Sequence, residues 1–361
     1  MSHRPNWTHR FNPEHEFDCR KGNEKLNSFF NSFTDKIEAM EDINPKKEEK
    51  DKEMQVNLFG EKVKFSKNLV LSDYFVVPPF SLLDTRQGYW INRRNKWLKF
   101  TGNLEESREN TLFGGGNQKE SFVGDKMINI GSTSHFDPVL AEIIFKWFNY
   151  PNGKILDPFG GEQTKGVVAG VLGYDYVGVE YRQEQVDVNN KACEQYGNVH
   201  YVCGDSADLD LLVPEKDFDL VFTSPPYYDL EIYSAKDSSA MQSYEEFMQF
   251  YKKVFHHCYD KLKQNRFLVL KLAEIRNKKT GEYRNFIGDN IRIMQEIGFK
   301  YYNEIILINA VGTVHLRSKK IFQGSRKVGK VHQNILVFYK GNTQGINQVF
   351  GGVEKDETFK N

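Results

Sequence analysis

Four cysteines in 361 residues are too few and too scattered for a disulfide framework. They are Cys19, Cys193, Cys203 and Cys258, and no two stand at metal-ligand spacing. Thiols used this way suit a reducing compartment. Net charge is missing too, since 49 lysines and arginines balance 49 aspartates and glutamates. That excludes a uniformly basic or acidic chain but not a local basic surface. No apolar run approaches the length of a membrane span, so no membrane partner is expected. The opening MSHRPNWTHRF lacks the apolar stretch of a secretory signal. The expectation is a soluble, cytoplasmic protein. What the chain does hold is 39% apolar and 14% aromatic residues, enough to bury a sizeable core.

Composition divides the chain. Residues 1–55 read as an extension. Within it EDINPKKEEKDKE (Glu41–Glu53) is almost all charge and cannot bury enough apolar surface to offset its ordering entropy. Upstream, LNSFFNSFTDKIEAM has helical spacing and reads as a short docking helix. Residues 56–132 form an accessory region. VNLFGEKVKF reads as a hairpin turning near Gly60, and ENTLFGGGNQKES as a flexible loop. Between them Tyr89, Trp90 and Trp97 read as core, interleaved with Arg86, Arg93, Arg94, Lys96 and Lys99. Residues 133–345 are the main domain, and 346–361 a flexible tail.

From residue 133 strands and helices alternate. The spacing predicts helices over 137–148, 164–172, 183–196, 243–262 and 286–297. Strands are predicted at 154–157, 176–180, 199–203, 219–223, 267–272, 304–309 and 335–339. Repeated strand–helix units imply an α/β fold, a Rossmann-like parallel sheet with helices on both faces. In such sheets ligands bind beyond the C-terminal ends of the strands. The residues directly after each strand therefore carry the functional information.

The first strand runs into Asp157-Pro158-Phe159-Gly160-Gly161. Glycines there let the backbone approach a ligand and leave helix N-terminal amides free, though alone they are an ordinary strand-to-helix turn. The second strand ends in Glu180, about twenty residues on, where a carboxylate can accept from ribose hydroxyls. The third ends in Gly204-Asp205, where an acid can meet an adenine amino group. The fourth runs into Ser224-Pro225-Pro226-Tyr227. Two prolines fix the backbone, remove two donors and leave carbonyl acceptors beside an aromatic ring. That is an unusual way to build a mere turn.

Asp157-Pro-Phe-Gly-Gly followed by Ser224-Pro-Pro-Tyr resembles the N4-cytosine/N6-adenine (amino) DNA methyltransferases. Phe80-Ser-Leu-Leu-Asp-Thr-Arg-Gln-Gly-Tyr-Trp, Ser134-His-Phe-Asp-Pro-Val-Leu, Asp229-Leu-Glu-Ile-Tyr-Ser and Arg326-Lys-Val-Gly-Lys-Val-His-Gln-Asn look like a phage and prophage modification-methylase group. The resemblance spans roughly residues 75–341. It implies S-adenosyl-L-methionine as cofactor, over Asp157–Gly161, with Glu180 on the ribose and Asp205 near the adenine. Phe136 and Asp137 match the segment that helps hold the methionine moiety. They also read as a helix start, with Asp137 as cap. Ser224 and the Pro225 carbonyl would accept from the target amino group, and Tyr227 would stack on the flipped base. Many relatives follow Asp-Pro-Phe with a small residue, a glycine and Ser/Gly-Thr-Thr. This chain departs from them with Gly161-Glu162-Gln163-Thr164.

Residues Gly312–His332 carry Arg317, Lys319, Lys320, Arg326, Lys327 and Lys330 and no acid. A loop of that composition, joining two strands at the active edge, is the expected contact for double-stranded DNA. Arg86–Lys99 is the second candidate. The resemblance also raises a homodimer and a cognate restriction endonuclease as partners. Serine before Pro-Pro-Tyr favours N4-cytosine over N6-adenine. The alternatives are an amino-methyltransferase acting on RNA or a protein glutamine, and a catalytically silent DNA-binding relative.

Overall fold

A computed structural model of the chain describes residues 55–56, 62–63, 74–101, 121–123, 126–128, 136–228, 243–309, 314–353, 356 and 358–359. The expected docking helix in the N-terminal extension lies outside them, as do Asp229–Ser234, Ser134 and all but the last residue of ENTLFGGGNQKES. The chain divides into two compact units, 1–68 and 69–361. In the first, strand β1 (Gln55–Val56) pairs antiparallel with β2 (Lys62–Val63), the ends of the expected hairpin.

The second unit is built on eight strands. In chain order they are β3 (Leu82–Asp84), β6 (Lys154–Asp157), β7 (Asp175–Glu180), β8 (Val199–Cys203), β9 (Phe218–Thr223), β10 (Leu262–Leu272), β11 (Lys300–Ile308) and β12 (His332–Lys340). A separate antiparallel pair is formed by β4 (Ser121–Val123) and β5 (Lys126–Ile128). Across the large sheet the order is β3-β11-β12-β10-β9-β6-β7-β8. Neighbours are parallel except for β12, which runs antiparallel to both β10 and β11.

Alternation along the strands explains the layers, because successive side chains point to opposite faces. Ile155, Leu220, Phe222, Val269, Ile335 and Val337 share one core. Leu156, Val221, Leu268, Leu270, Leu336 and Phe338 share the other. The first core is covered by helices α2 (Pro138–Phe148), α3 (Thr164–Val171) and α4 (Gln183–Cys193). The second is covered by α5 (Leu209–Leu212), α6 (Tyr244–Lys261) and α7 (Phe286–Ile297). Such strands must be apolar on both faces, and all six residues of Phe218–Thr223 are buried.

Local chemistry sets the helix starts. Asp137 caps α2 by accepting from Val139 N at 3.0 Å, with Pro138 in the first turn. Ser243 and Glu246 form a capping box on α6. Gly298 ends α7 in the left-handed conformation, where a side chain would be strained.

Three differences from the sequence reading have physical causes. Residues 82–101 are part of the large sheet's unit, because β3 bonds to β11 and helix α1 (Gly88–Thr101) packs on α2. Trp90 and Trp97 of α1 are fully buried as expected, whereas Tyr89 is 48% exposed. The tail, expected to be flexible, is tied down instead. After helix α9 (Ile346–Phe350), the Asp356 carboxylate pairs with Arg93 at 3.0 Å and Lys146 at 2.6 Å. Phe359 packs on Trp97, 5.2 Å between centroids, under the Arg93 guanidinium. The basic segment is also no simple loop, for Val314–Ser325 forms helix α8.

Candidate active site

The chain builds β6, β7 and β8 outward in one direction, then returns to place β9 on the other side of β6. That reversal is the topological switch point, where helices leave opposite faces and a crevice opens at the C-terminal strand ends. The two segments that end at this crevice are those following β6 and β9. These are Asp157–Gly161 and Ser224–Tyr227, brought together by the sheet and tied by the Thr223–Asp157 hydrogen bond across 66 residues.

Asp157 is fully buried and fully engaged. Its carboxylate accepts from Tyr176 OH at 2.8 Å, Thr223 Oγ1 at 2.7 Å and Phe159 N at 3.2 Å. It also pairs with Lys165, itself buried. One carboxylate thus ties the ends of β6 and β9 to β7 and α3. Burial, reinforced by Asp157, pushes the Tyr176 phenol well above its ordinary pKa, so it stays a donor. Asp157 is therefore placed behind the glycine turn, shaping it without facing the crevice.

The turn itself is pinned from three sides. Gly160 N donates to Val179 O at 2.6 Å, Asn189 Nδ2 donates to Gly161 O at 2.8 Å, and Ser206 donates to Pro158 O. A Cβ on Gly160 would meet the Tyr201 ring at 3.0 Å. Gly161 has φ +61°, and a Cβ there would meet nothing within 4 Å. The turn thus presents bare backbone to open space, as close approach to a ligand requires. Glu162 closes the turn, accepting from Thr164 N at 3.0 Å and Phe136 N at 3.1 Å. The residue in which the motif departs from its relatives bonds the first residue of α3 and anchors the segment before α2.

That segment forms one wall. The Phe136 ring lies 5.2 Å from Lys165 Nζ and 5.0 Å from Lys271 Nζ. Asp137 accepts from Trp90 Nε1 at 2.9 Å and pairs with Arg94, so α1 fixes the cap. On the other side, Glu180 ends β7 and accepts from Arg182 N at 3.1 Å and Arg182 Nε at 2.9 Å. Asp205 follows β8 and caps the short turn of helix 206–208 through Ala207 N at 2.9 Å. Asp157, Glu180 and Asp205 close three successive strands along one edge.

Ser224 is half-buried, and its hydroxyl donates to Lys271 O at the end of β10, at 3.4 Å. Tyr251 of α6 donates to the Pro226 carbonyl. Among the described residues no hydrogen bond engages the Pro225 carbonyl. The Tyr227 ring packs against Phe286, 6.1 Å between centroids. Sequence reasoning missed Lys165, Tyr176, Thr223, Tyr251 and Lys271. Only contacts across the sheet reveal them, for none stands in a motif.

The basic segment belongs to the same edge. β12 opposes β10 with Leu272 facing Asn334, and β11 faces it with Ile308 opposite His332. Residues 309–331 therefore leave and re-enter the sheet at the C-terminal ends of the parallel strands. Lys319, Lys320 and Arg326 are exposed, and Lys327 and Lys330 half-buried. The Arg317 side chain lies outside the described residues.

Residues 218–360 match the family model for the DNA methylases. Over 73 residues the chain is 40% identical to the type II methyltransferase M.HinfI of Haemophilus influenzae, which is 20% of this chain and 20% of that one. Over 76 residues it is 34% identical to a tRNA (guanine(10)-N2)-dimethyltransferase of Pyrococcus abyssi, 20% of this chain and 23% of the relative. The chain thus spans about a fifth of the length of each curated relative. A methyltransferase structure from Pyrococcus furiosus aligns with TM-score 0.38 at 17% identity, covering 70% of this chain and all of that one. Among the described residues no helix is long and apolar enough to cross a membrane, and no cluster of His, Cys, Asp or Glu is placed to hold a metal ion.

Proposed function

We propose that the chain, whose residues 218–360 match the family model for the DNA methylases, methylates an exocyclic amino nitrogen in double-stranded DNA, with S-adenosyl-L-methionine as methyl donor. One observation carries the reading. The glycine turn after β6 and Ser224-Pro225-Pro226-Tyr227 after β9 follow adjacent parallel strands at the switch point of the sheet, where such folds bind their ligands. The crevice fits the cofactor's chemistry: bare backbone at Gly160 and Gly161, a carboxylate at Glu180 for ribose hydroxyls, and another at Asp205 for an amino group. Phe136 and Asp137 would border its methionine end. Pro158 and Phe159 support the turn, and Asp157 holds it in place.

When bound, the cofactor supplies an electrophilic methyl group on a sulfonium. The chain's part is to make a poor nucleophile competent. A base amino group has its lone pair delocalised into the ring. Ser224 Oγ and the Pro225 carbonyl accept its hydrogens and favour a localised lone pair. Pro226 fixes the backbone, with its own carbonyl taken by Tyr251, and Tyr227 stacks on the base. The chain's contribution is positioning and electrostatic complementarity, with no covalent bond between enzyme and base. The target must leave the duplex to reach the crevice. The serine hydroxyl both donates and accepts, so it can touch a ring nitrogen as well as the amino group, a pair that both cytosine and adenine offer; the resemblance of Ser224-Pro225-Pro226-Tyr227 to the N4-cytosine enzymes makes N4-cytosine the favoured target. Arg317, Lys319, Lys320, Arg326, Lys327 and Lys330 would meet phosphates.

Methyl transfer from labelled cofactor to DNA, RNA and protein in parallel tests this. Label on DNA alone is expected. Label on RNA or protein alone would shift the substrate class, and none on any would leave a silent relative.

A further inference from the structure

Among the described residues, the connection from β10 to α7 is a part of the active edge with no role so far. It leaves the sheet at Leu272, beside Asn334, and returns at Phe286. Its middle is a tight hairpin closed by a bridge between Arg276 and Tyr283. Asn277 N donates to Glu282 O at 2.9 Å, and Gly281 N to Asn277 O at 2.7 Å. The Asn277 side chain accepts from Lys279 N at 2.9 Å. Arg276 Nη1 donates to Gly281 O at 2.9 Å, while its guanidinium lies 3.8 Å from the Tyr283 ring centroid. Gly281 has φ +80°. A turn held by this many local bonds is preorganised, so little ordering is left to a partner.

The charge on this turn is mostly of one sign. Lys278 and Lys279 are exposed at its tip, and Arg276 and Arg284 stand at its base. Against them stand Glu282 and Glu274, the latter spent accepting from Phe286 N at 2.8 Å to cap α7. The ammonium of Lys327, from the basic segment, occupies the space a Cβ on Gly281 would need. Burial lowers the pKa of Lys330, Glu274 opposes this, and Arg276 adds to it. Two positive segments are therefore packed side by side at the C-terminal edge of the sheet. Like charges so placed are uphill until an anion joins them.

We propose that the Arg276–Tyr283 hairpin is a second DNA-contacting element, its Lys278 and Lys279 meeting backbone phosphates next to those met by the basic segment. The inference rests on the DNA-methylation reading and deepens it. The hairpin lies one strand from Ser224, whose hydroxyl reaches the carbonyl of Lys271 in that same strand. It is thus placed to hold duplex flanking the extruded base. The exposed Tyr283 ring, 45% accessible, is backed by the Arg276 guanidinium.

The test is duplex binding by the full chain at several salt concentrations, with Lys278→Ala/Lys279→Ala beside the unchanged protein. Removing two phosphate contacts should flatten the slope of log K against log salt by roughly 2. Cofactor affinity by calorimetry should not change, since neither lysine borders the crevice. An unchanged slope overturns the proposal. Label transfer by the unchanged protein separates the two readings. Transfer to DNA with an unchanged slope removes the hairpin alone, whereas no transfer to DNA removes the underlying reading and the hairpin with it. A Glu282→Gln variant, which removes the opposing acid, should bind duplex more tightly; weaker binding would also contradict the placement.

Discussion

Asp157 and Glu180 are both acids at strand ends, yet their surroundings give them different work. Asp157 is buried under four donors. Asp157→Ala would strand the Lys165 ammonium and cost stability, about 3–5 kcal/mol for one broken buried pair. A lower unfolding midpoint is therefore expected, so the variant cannot test cofactor contact cleanly. Glu180 is the cleaner probe, because its carboxylate accepts local bonds from Arg182, two residues on. Glu180→Ala should weaken S-adenosyl-L-methionine by roughly 10- to 100-fold, the worth of hydrogen bonds to a charged group, with the fold intact. Calorimetry reads both quantities. Ser224→Ala should behave in the opposite way. It should lower kcat by about 100-fold or more, as losing one preorganised partner of the reacting group does, while cofactor affinity holds. Lost cofactor binding with retained turnover would move Ser224 out of the base site.

At the scale of elements, the basic segment makes the sharpest prediction. Replacing Lys319, Lys320, Arg326 and Lys327 with alanine should flatten the salt dependence of DNA binding by up to roughly 3–4 in slope. An unchanged slope would place the DNA elsewhere. The segment's position was legible in the sequence, since its flanks alternate like strands. Its helix was not. Val314–Ser325 contains no acid, hence no i,i+4 ion pairs, and Gly324 lies inside it. The strands β6, β7 and β9 were legible because burial on both faces demands continuous apolar runs, and the residues closing them were legible with them. The partners of Asp157 were not, because Tyr176 and Thr223 reach it only through sheet register, from 19 and 66 residues away. The C-terminal contacts were illegible for the same reason, with Asp356 pairing Arg93 across 263 residues.

For the whole molecule, those C-terminal contacts matter because they close on the helices that fix Phe136 and Asp137. Glu142 is buried within α2 and accepts from Trp97 Nε1 at 2.7 Å and Lys146 Nζ at 2.8 Å, while also pairing with Arg93. Asp356 completes the network. Burial alone would raise its pKa, but Lys146 and Arg93 outweigh burial and hold it at about 2, below the ordinary 3.8. A folded pKa below the unfolded one contributes stability above the unfolded value, lost as pH falls through the folded one. Asp356→Asn should therefore lower the thermal midpoint at neutral pH, and the gap should shrink between about pH 4 and pH 2. A gap that stayed constant across that window would show that Asp356 is not ionised in these pairs. The network leads through α1, by Trp90 and Arg94, to Asp137 and so to the crevice. The crevice is where the central claim rests, and nucleoside analysis tests that claim most directly. DNA incubated with the chain and S-adenosyl-L-methionine is digested and analysed by mass spectrometry. The account predicts N4-methylcytosine, abolished or strongly reduced by Ser224→Ala. N6-methyladenine alone would overturn the choice of base, whereas 5-methylcytosine, or no methylated nucleoside at all, would contradict amino-nitrogen transfer itself.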